Sequence, residues 1–303
     1  MRVTNSILIR NSQTRLQQNL RGMENAREDI ASGLRLRKMS HDPTGASEVV
    51  RTTSSMRALA QYQRNADIGS ARASAEEVAL DQLTNALSRA VELSVSQASA
   101  TANAQTRTIV KSEVDQLLAF AVNLGNTRFG DDYLFGGTRS GEAPFRRPPT
   151  AADGFSALVD ASNAPVDPSG NLSVEINDGE FVTPTHNGTE VFLDTDAYES
   201  LRALSTALGN NDVAGISAAI DRITVSTSSV QSLVGTQGAR LNHLENTKFT
   251  LMATDASLTA YRSDLRDTEV DKAMVELVGK QTLYQAAMSA TSRILGMSLA
   301  NYL

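Results

Sequence analysis

The 303-residue chain carries a net charge of −6 and no cysteine, which removes disulfides, thiolate metal sites and a cysteine nucleophile together. Hydrophobic residues make up 41% and charged residues 20%, enough apolar material for a core, but aromatics are only 5% and Trp is absent. Such a chain, rich in Ala, Ser, Thr, Leu and Gln, suits long helices packed through small and aliphatic side chains, and its length exceeds the usual single domain.

The first twenty residues hold only one short apolar stretch, Ile7, Leu8 and Ile9, below the roughly 7–15 residues of a secretory signal. Polar, Arg-containing and free of acid, they fit an organelle transit peptide and equally a segment kept unfolded for export through a narrow channel; the residues do not separate the two. No apolar run reaches the ~20 residues of a membrane span. Ile9, Gln13, Leu16, Leu20, Met23, Arg27, Ile30 and Leu34 follow a 4-3 spacing with two polar interruptions and predict a helix. Breakers follow at Ser32-Gly33 and from Met39 to Thr44. Val49, Thr53, Met56 and Ala60 mark a second helix, and Leu80, Leu83, Leu87 and Ala90 a third. A polar stretch at Ser99–Gln105 precedes a further apolar face of Val110, Val114, Leu117, Ala121 and Leu124.

Six of the seven prolines (Pro144, Pro148, Pro149, Pro165, Pro168 and Pro184) fall in one central stretch, and none lies between Pro43 and Pro144 or after Pro184. Long helices need that absence, since an interior Pro costs ~3 kcal/mol or more. Residues 131–196 are rich in Gly, Pro, Asp and Asn, with strand-like runs at Leu172–Ile176 and Glu190–Leu193 and turn signals at Asn177-Asp178-Gly179 and Asn187-Gly188. They predict a small β-rich domain (131–196) inserted between an N-terminal helical arm (1–130) and a C-terminal one (197–303).

In the C-terminal arm Leu244, Leu251, Leu258 and Leu265 recur every seven residues, the spacing of a coiled-coil seam. Val270, Met274, Leu277, Gln281, Tyr284, Met288, Thr291, Leu295, Ser298 and Tyr302 continue it in a shifted frame. The expected fold is therefore mainly α: long antiparallel coiled-coil arms from both termini with a β-rich insert. Both arms expose apolar seams and are expected to need partners beyond each other.

Charge is uneven. Residues 1–40 hold eight basic against three acidic side chains, whereas 131–200 hold three Arg against thirteen acids. Basic residues spread through a helical pattern without aromatic neighbours argue against nucleic acid; the asymmetry reads as solvated helix faces and an acidic surface domain, or else as a basic end that meets an acidic partner. The three histidines, His41, His186 and His243, lie in different regions and none has metal-site spacing. His41-Asp42-Pro43 reads as a turn. Asp131-Asp132 and the acids around Asp178 lack calcium-loop spacing. Phosphate- and dinucleotide-binding glycine loops are missing. No catalytic, cofactor or metal residue is expected.

Two stretches carry a family resemblance. ASGLRLRKMSHDPTGASEVVR, followed by QRNADIGSARASAEEVALDQLTNALSRAVELSVSQA, resembles the N-terminal region of the flagellin superfamily: Ser32, Gly33 and Arg35 ending a helix, Asp42 and Pro43 in a turn, then Arg64, Asn65 and Ala66, then Glu77. The C-terminus, LVGKQTLYQAAMSATSRILGMSLANYL, is similar to the terminal helix of that superfamily through Gln285, Ala286, Ala287, Ser298, Leu299, Tyr302 and Leu303. Asp42-Pro43, and Tyr133, Leu134, Phe135, Gly136, Gly137 and Thr138 followed by Pro144 and Phe145, look most like its members at the hook–filament junction. As local structure alone, that last segment reads as a helix-to-strand turn with an aromatic plug.

The resemblance implies an extracellular axial protein of the bacterial flagellum, exported unfolded and without enzymatic activity. Its implied partners are further copies of itself in a ring, a hook-associated protein on one side, flagellin on the other, and an export chaperone on the C-terminal helix. The residues implied to form assembly seams are Ile9, Leu16, Leu20, Met23, Ile30 and Leu34 in the first arm, and Leu244, Leu251, Leu258, Leu265, Leu277, Tyr284, Met288, Leu295 and Tyr302 in the second. A filament-forming flagellin is the alternative within the superfamily. A cytoplasmic helical-hairpin signalling or binding module is the alternative outside it.

Overall fold

The computed structural model describes residues 2–40, 42–99, 102–145 and 169–300, with side chains at 7, 10–40, 42–99, 102–145 and 169–293. His41, Tyr302 and Leu303 lie outside the described residues, as do Arg146, Arg147 and the prolines at 148, 149, 165 and 168. Ile9, Leu295, Ser298 and Leu299 lie in helices whose side chains there are not described.

Six α-helices carry the described residues: α1 (Arg2–Ser32), α2 (Pro43–Val95), α3 (Ala104–Gly125), α4 (Ala197–Gly209), α5 (Val213–Arg266) and α6 (Val270–Ala300). Among the described residues, two small antiparallel hairpins lie between α3 and α4: β1 (Arg128–Phe129) with β2 (Asp132–Tyr133), and β3 (Val174–Asn177) with β4 (Glu180–Val182). The expected mainly helical fold with long helices from both ends and a small strand region in the middle is what the chain adopts. No described helix is long and apolar enough to cross a membrane.

The chain divides into two compact units, one of residues 1–58 and 254–303, the other of residues 59–253; α2 and α5 contribute to both. In the first unit α1 and α6 run antiparallel, with Leu34 bridged to Asp267 and Lys280 Nζ donating to Gly22 O at 3.3 Å. Asp42 starts α2: its Oδ1 accepts from Gly45 N at 2.9 Å and Pro43 takes the first helical position, where no N–H is needed. Gly33, at φ 68°, provides the left-handed residue that ends α1.

In the second unit, Leu80, Leu83 and Leu87 of α2 pack with Val114, Leu118 and Ala121 of α3, Leu201, Leu204 and Leu208 of α4, and Ile216, Ile223 and Val230 of α5. Four rings close the end of this core. Phe192 meets Phe135 and Phe145 edge-on at 5.1 and 5.2 Å and stacks on Tyr198 at 4.8 Å. Tyr198 Oη donates to Ala121 O at 3.1 Å, and burial pushes its phenol well above the ordinary range. A smaller cluster joins Ala66 and Ala73 of α2 to Ile176 of β3 and Leu244 of α5.

Three sequence expectations are corrected. The second and third helices are one, Pro43–Val95: only Gly69 interrupts the run, and it lies under Leu244, where a Cβ would be 3.5 Å from Leu244 Cδ2. Glu190–Leu193 is not a strand but part of a π-helical turn, Thr189–Leu193. Val191 and Phe192 are adjacent and both fully buried, unlike the alternation of a half-buried strand, and Asn187 Oδ1 caps the turn by accepting from Glu190 N at 2.9 Å. Consequently Asn187-Gly188 is a helical start and not a hairpin turn. The break after α2 does fall in the expected polar stretch. There the buried Arg107 donates from Nε to Gln97 O at 3.1 Å and from Nη2 to Ser99 O at 2.8 Å, and its Nη1 donates to Asn211 Oδ1.

Candidate assembly surfaces and a buried polar trio

The seam between α1 and α6 mixes small, aliphatic and long side chains. On α6 the half-buried or buried positions are Ala273, Leu277, Lys280, Tyr284, Ala287 and Thr291; on α1 they include Leu16, Met23, Ala26 and Ile30. Leu20 and Leu34 are also half-buried. The apolar stripe expected along α6 straddles two faces. Leu277, Tyr284 and Thr291 belong to the covered one, whereas Val270, Met274, Gln281 and Met288 are exposed.

Those exposed residues belong to a second 4-3 stripe, Met274, Val278, Gln281, Gln285 and Met288, which carries no charge. Met274 is 52% exposed, Val278 60% and Met288 50%. The seam residues of α5 differ in depth: Leu244 and Leu251 are buried, at 1% and 3%, while Leu258 and Leu265 are half-buried.

The residues of the family pattern perform local structural work. Ser32 Oγ accepts from Leu34 N at 3.2 Å. Arg35 Nη2 donates to Leu265 O at 2.6 Å, and its backbone N to Arg266 O at 2.9 Å, tying the end of α1 to the end of α5. Exposed Arg64 Nη2 donates to Gln61 Oε1 at 2.6 Å, while Asn65 Nδ2 donates to Glu175 O at 2.8 Å and so fastens β3 to α2. Tyr133 N donates to Ser140 O and Leu134 N to Thr127 O. Gly136 N donates to Tyr133 O, Gly137 takes φ 57°, and Thr138 Oγ1 donates to Ser169 O at 3.4 Å. Phe135 is fully buried and its carbonyl accepts from Gly188 N at 2.9 Å. Pro144 is buried beside Phe145. The amide of Asn126 receives Phe145 N at 3.0 Å and donates to Phe145 O at 2.5 Å, holding the ring in the core.

Sequence reasoning missed one cluster. Glu76 of α2 is wholly buried, and its carboxylate oxygens lie 3.0 and 3.1 Å from His186 N and, through Oε1, 2.7 Å from His186 Nδ1. His186 Nε2 lies 3.2 Å from Thr236 Oγ1 on α5. Beside them Gln237 Nε2 donates to Ala73 O and Pro184 O at 3.1 and 2.8 Å. Burial pushes the Glu76 carboxyl up from its ordinary range, against the opposing pull of its bonds with His186 and the charge of Arg240. The residues come from three distant parts of the chain, and no spacing rule connects them.

Hydroxyl, imidazole and carboxylate in that order have the form of a nucleophilic triad. Here the Thr236 hydroxyl is spent on Leu233 O at 2.9 Å. Thr236 also sits inside α5, where amide N–H groups are engaged along the helix and none is left to receive an oxyanion. The trio is a fastening, not a reaction centre. Among the described residues no group of three acids or histidines is placed to hold a metal ion.

Comparison with known proteins follows the same architecture. The model of the bacterial flagellin N-terminal helical region matches residues 3–140, and that of the C-terminal helical region matches residues 217–303. The flagellar hook-associated protein 3 of Escherichia coli strain K12 is 26% identical over 310 residues, covering 95% of this chain and 97% of that one. A flagellin of Halalkalibacterium halodurans is 26% identical over 275 residues, covering 89% and 87%. Among solved structures, the FlgL protein of Bacillus cereus aligns with a TM-score of 0.56 at 22% identity, covering 70% of this chain and 99% of that one. The flagellar junction protein FlgL of Legionella pneumophila aligns with a TM-score of 0.55 at 13% identity, covering 72% and 100%. With both terminal helical regions matched over most of its length, the chain belongs to the bacterial flagellin family.

Proposed function

We propose that this protein is a non-enzymatic structural component of the bacterial flagellum, an extracellular adaptor that forms a ring at the junction of hook and filament. The observation that carries this reading is the end-to-end likeness to the Escherichia coli hook-associated protein, which spans 95% of this chain and 97% of that one. The Phe135–Phe145 segment, resembling the junction members of the family, supports it by closing the core of the second unit. The expected arms, residues 1–130 and 197–303, would supply the axial contacts, and the expected insert, 131–196, the outward surface. In the ring, the uncharged stripe of α6 is the surface offered to neighbouring copies. The hook side is expected to meet another hook-associated protein and the filament side flagellin, and an export chaperone is expected to hold the C-terminal helix before assembly.

A second reading, filament-forming flagellin, draws on the likeness to the Halalkalibacterium halodurans flagellin. The two part on polymerisation. An adaptor has two unlike faces, whereas a repeating head-to-tail contact between identical subunits gives an open polymer. Deleting the gene should leave complete hooks and release flagellin into the medium, and the purified protein should not extend filament seeds. Long tubes grown from this protein alone would establish the flagellin reading instead.

A further inference from the structure

The hydrogen count around Glu76 places one proton between its carboxyl group and the His186 ring. A threonine hydroxyl has one hydrogen. Thr236 directs it to Leu233 O at 2.9 Å, so its oxygen accepts from His186 Nε2 at 3.2 Å and the ring proton sits on Nε2. Nδ1 then presents a lone pair to Glu76 Oε1 at 2.7 Å. Two lone pairs that close, in a site sealed from water, require a proton between them. The other carboxyl oxygen, Oε2, accepts from His186 N at 3.0 Å.

We propose that Glu76 is a neutral carboxylic acid in the folded protein, donating to His186 Nδ1, and that this one proton latches the segment from Pro184 to Asn187 onto α2 and α5 as a pH-sensitive clasp. Thr236 is exposed, and it gives the otherwise buried chain of bonds its outlet to solvent. Among the described residues, two charged groups face the clasp, and the positive charge of Arg240 opposes a neutral acid without overriding burial. Arg240, from α5, acts on Glu76 electrostatically but makes no ion pair with it, and its Nη1 is buried without a partner. Arg72, from α2, lines a small cavity with His186, and its guanidinium is committed to Asp132 at 3.3 Å.

Proton linkage follows. In the unfolded chain glutamate and imidazole release their protons near about pH 4.3 and 6.5. Above about pH 6.5 the unfolded pair holds one proton fewer than the clasp, so the folding equilibrium constant falls about tenfold per pH unit until the clasp itself lets go. Below that, the unfolded imidazole regains a proton and the difference closes.

Glu76→Gln fixes an N–H donor where the acid O–H stands. The full-length variant is expected to keep the fold and to lose this tenfold dependence; an unchanged slope in denaturant titrations at alkaline pH would overturn the clasp. Ring nitrogen-15 spectra of the wild-type protein at about pH 7.5 decide the matter even if the variant does not fold. Nε2–H beside a bare Nδ1 is the expected result. A protonated Nδ1, in a neutral or a cationic ring, means an ionised Glu76 and overturns the proposal.

Discussion

Gly125 and Phe145 are packed so closely that no Cβ fits between them: one built on Gly125 would run into the Phe145 ring and the Tyr198 hydroxyl. Gly125 is the last residue of α3, so helix propensity alone would favour alanine by up to about 1 kcal/mol. Packing decides the sign instead. Gly125→Ala should destabilise the protein by about 1–3 kcal/mol, read as a lower urea midpoint at unchanged m-value. Gly235→Ala, in α5 with nothing within 4 Å of the added atom, should do the opposite and gain about 0.5–1 kcal/mol.

Capping gives a second test. Asp42→Ala removes the acceptor for Gly45 N and should cost about 0.5–2 kcal/mol, whereas Asp42→Asn should retain most of the stability. Equal losses from both would show that charge, not the cap bond, is what Asp42 provides.

Depth along α5 gives the third. Leu251→Ala, at a position 3% exposed, should cost about 2–5 kcal/mol. Leu258→Ala, half-buried in the single chain, should cost clearly less in the monomer. The exposed stripe of α6 behaves differently again: Val278→Glu should leave monomer melting unchanged and abolish incorporation into flagella, scored by immunogold labelling of isolated filaments.

The corner between α5 and α6 responds to acid. Hydrogen bonds from Arg266 Nε and Ser263 Oγ, at 2.9 and 2.8 Å, hold the Asp267 carboxyl below its usual range. A depressed carboxylate stabilises above its unfolded value and ceases to do so as pH falls. The corner should therefore loosen below about pH 4. Amide exchange at Thr268, whose N donates to Gly33 O, should rise there in the wild type and show no such acid step in Asp267→Asn.

Much of this architecture was legible because it rests on local rules. Proline placement marked the helical arms, Ser32-Gly33 marked the end of α1, and Asn177-Asp178-Gly179 marked a tight hairpin, with Gly179 at φ 71°. What escaped depends on distant neighbours. The second and third apolar patterns read as two helices, yet the chain runs through Gly69 unbroken, with that glycine in contact with Leu244. Glu190–Leu193 reads as a strand by composition, yet it forms a π-helical turn that packs both Val191 and Phe192 into one core. The frame of α6 was ambiguous because two 4-3 stripes lie side by side on one helix, and only the position of α1 distinguishes them. Glu76, His186 and Thr236 meet across 110 and 50 residues of sequence.

The stripe of Met274, Val278, Gln281, Gln285 and Met288 has a thermodynamic signature. A neighbour seated there displaces water but few counterions, so its affinity should hardly respond to sodium chloride. Sulfate, which is excluded from protein surfaces, should tighten it, and cooling should weaken it. Assembly through this face would then be most fragile in the cold and sturdy in brine, a pattern opposite to that of a joint held by ion pairs.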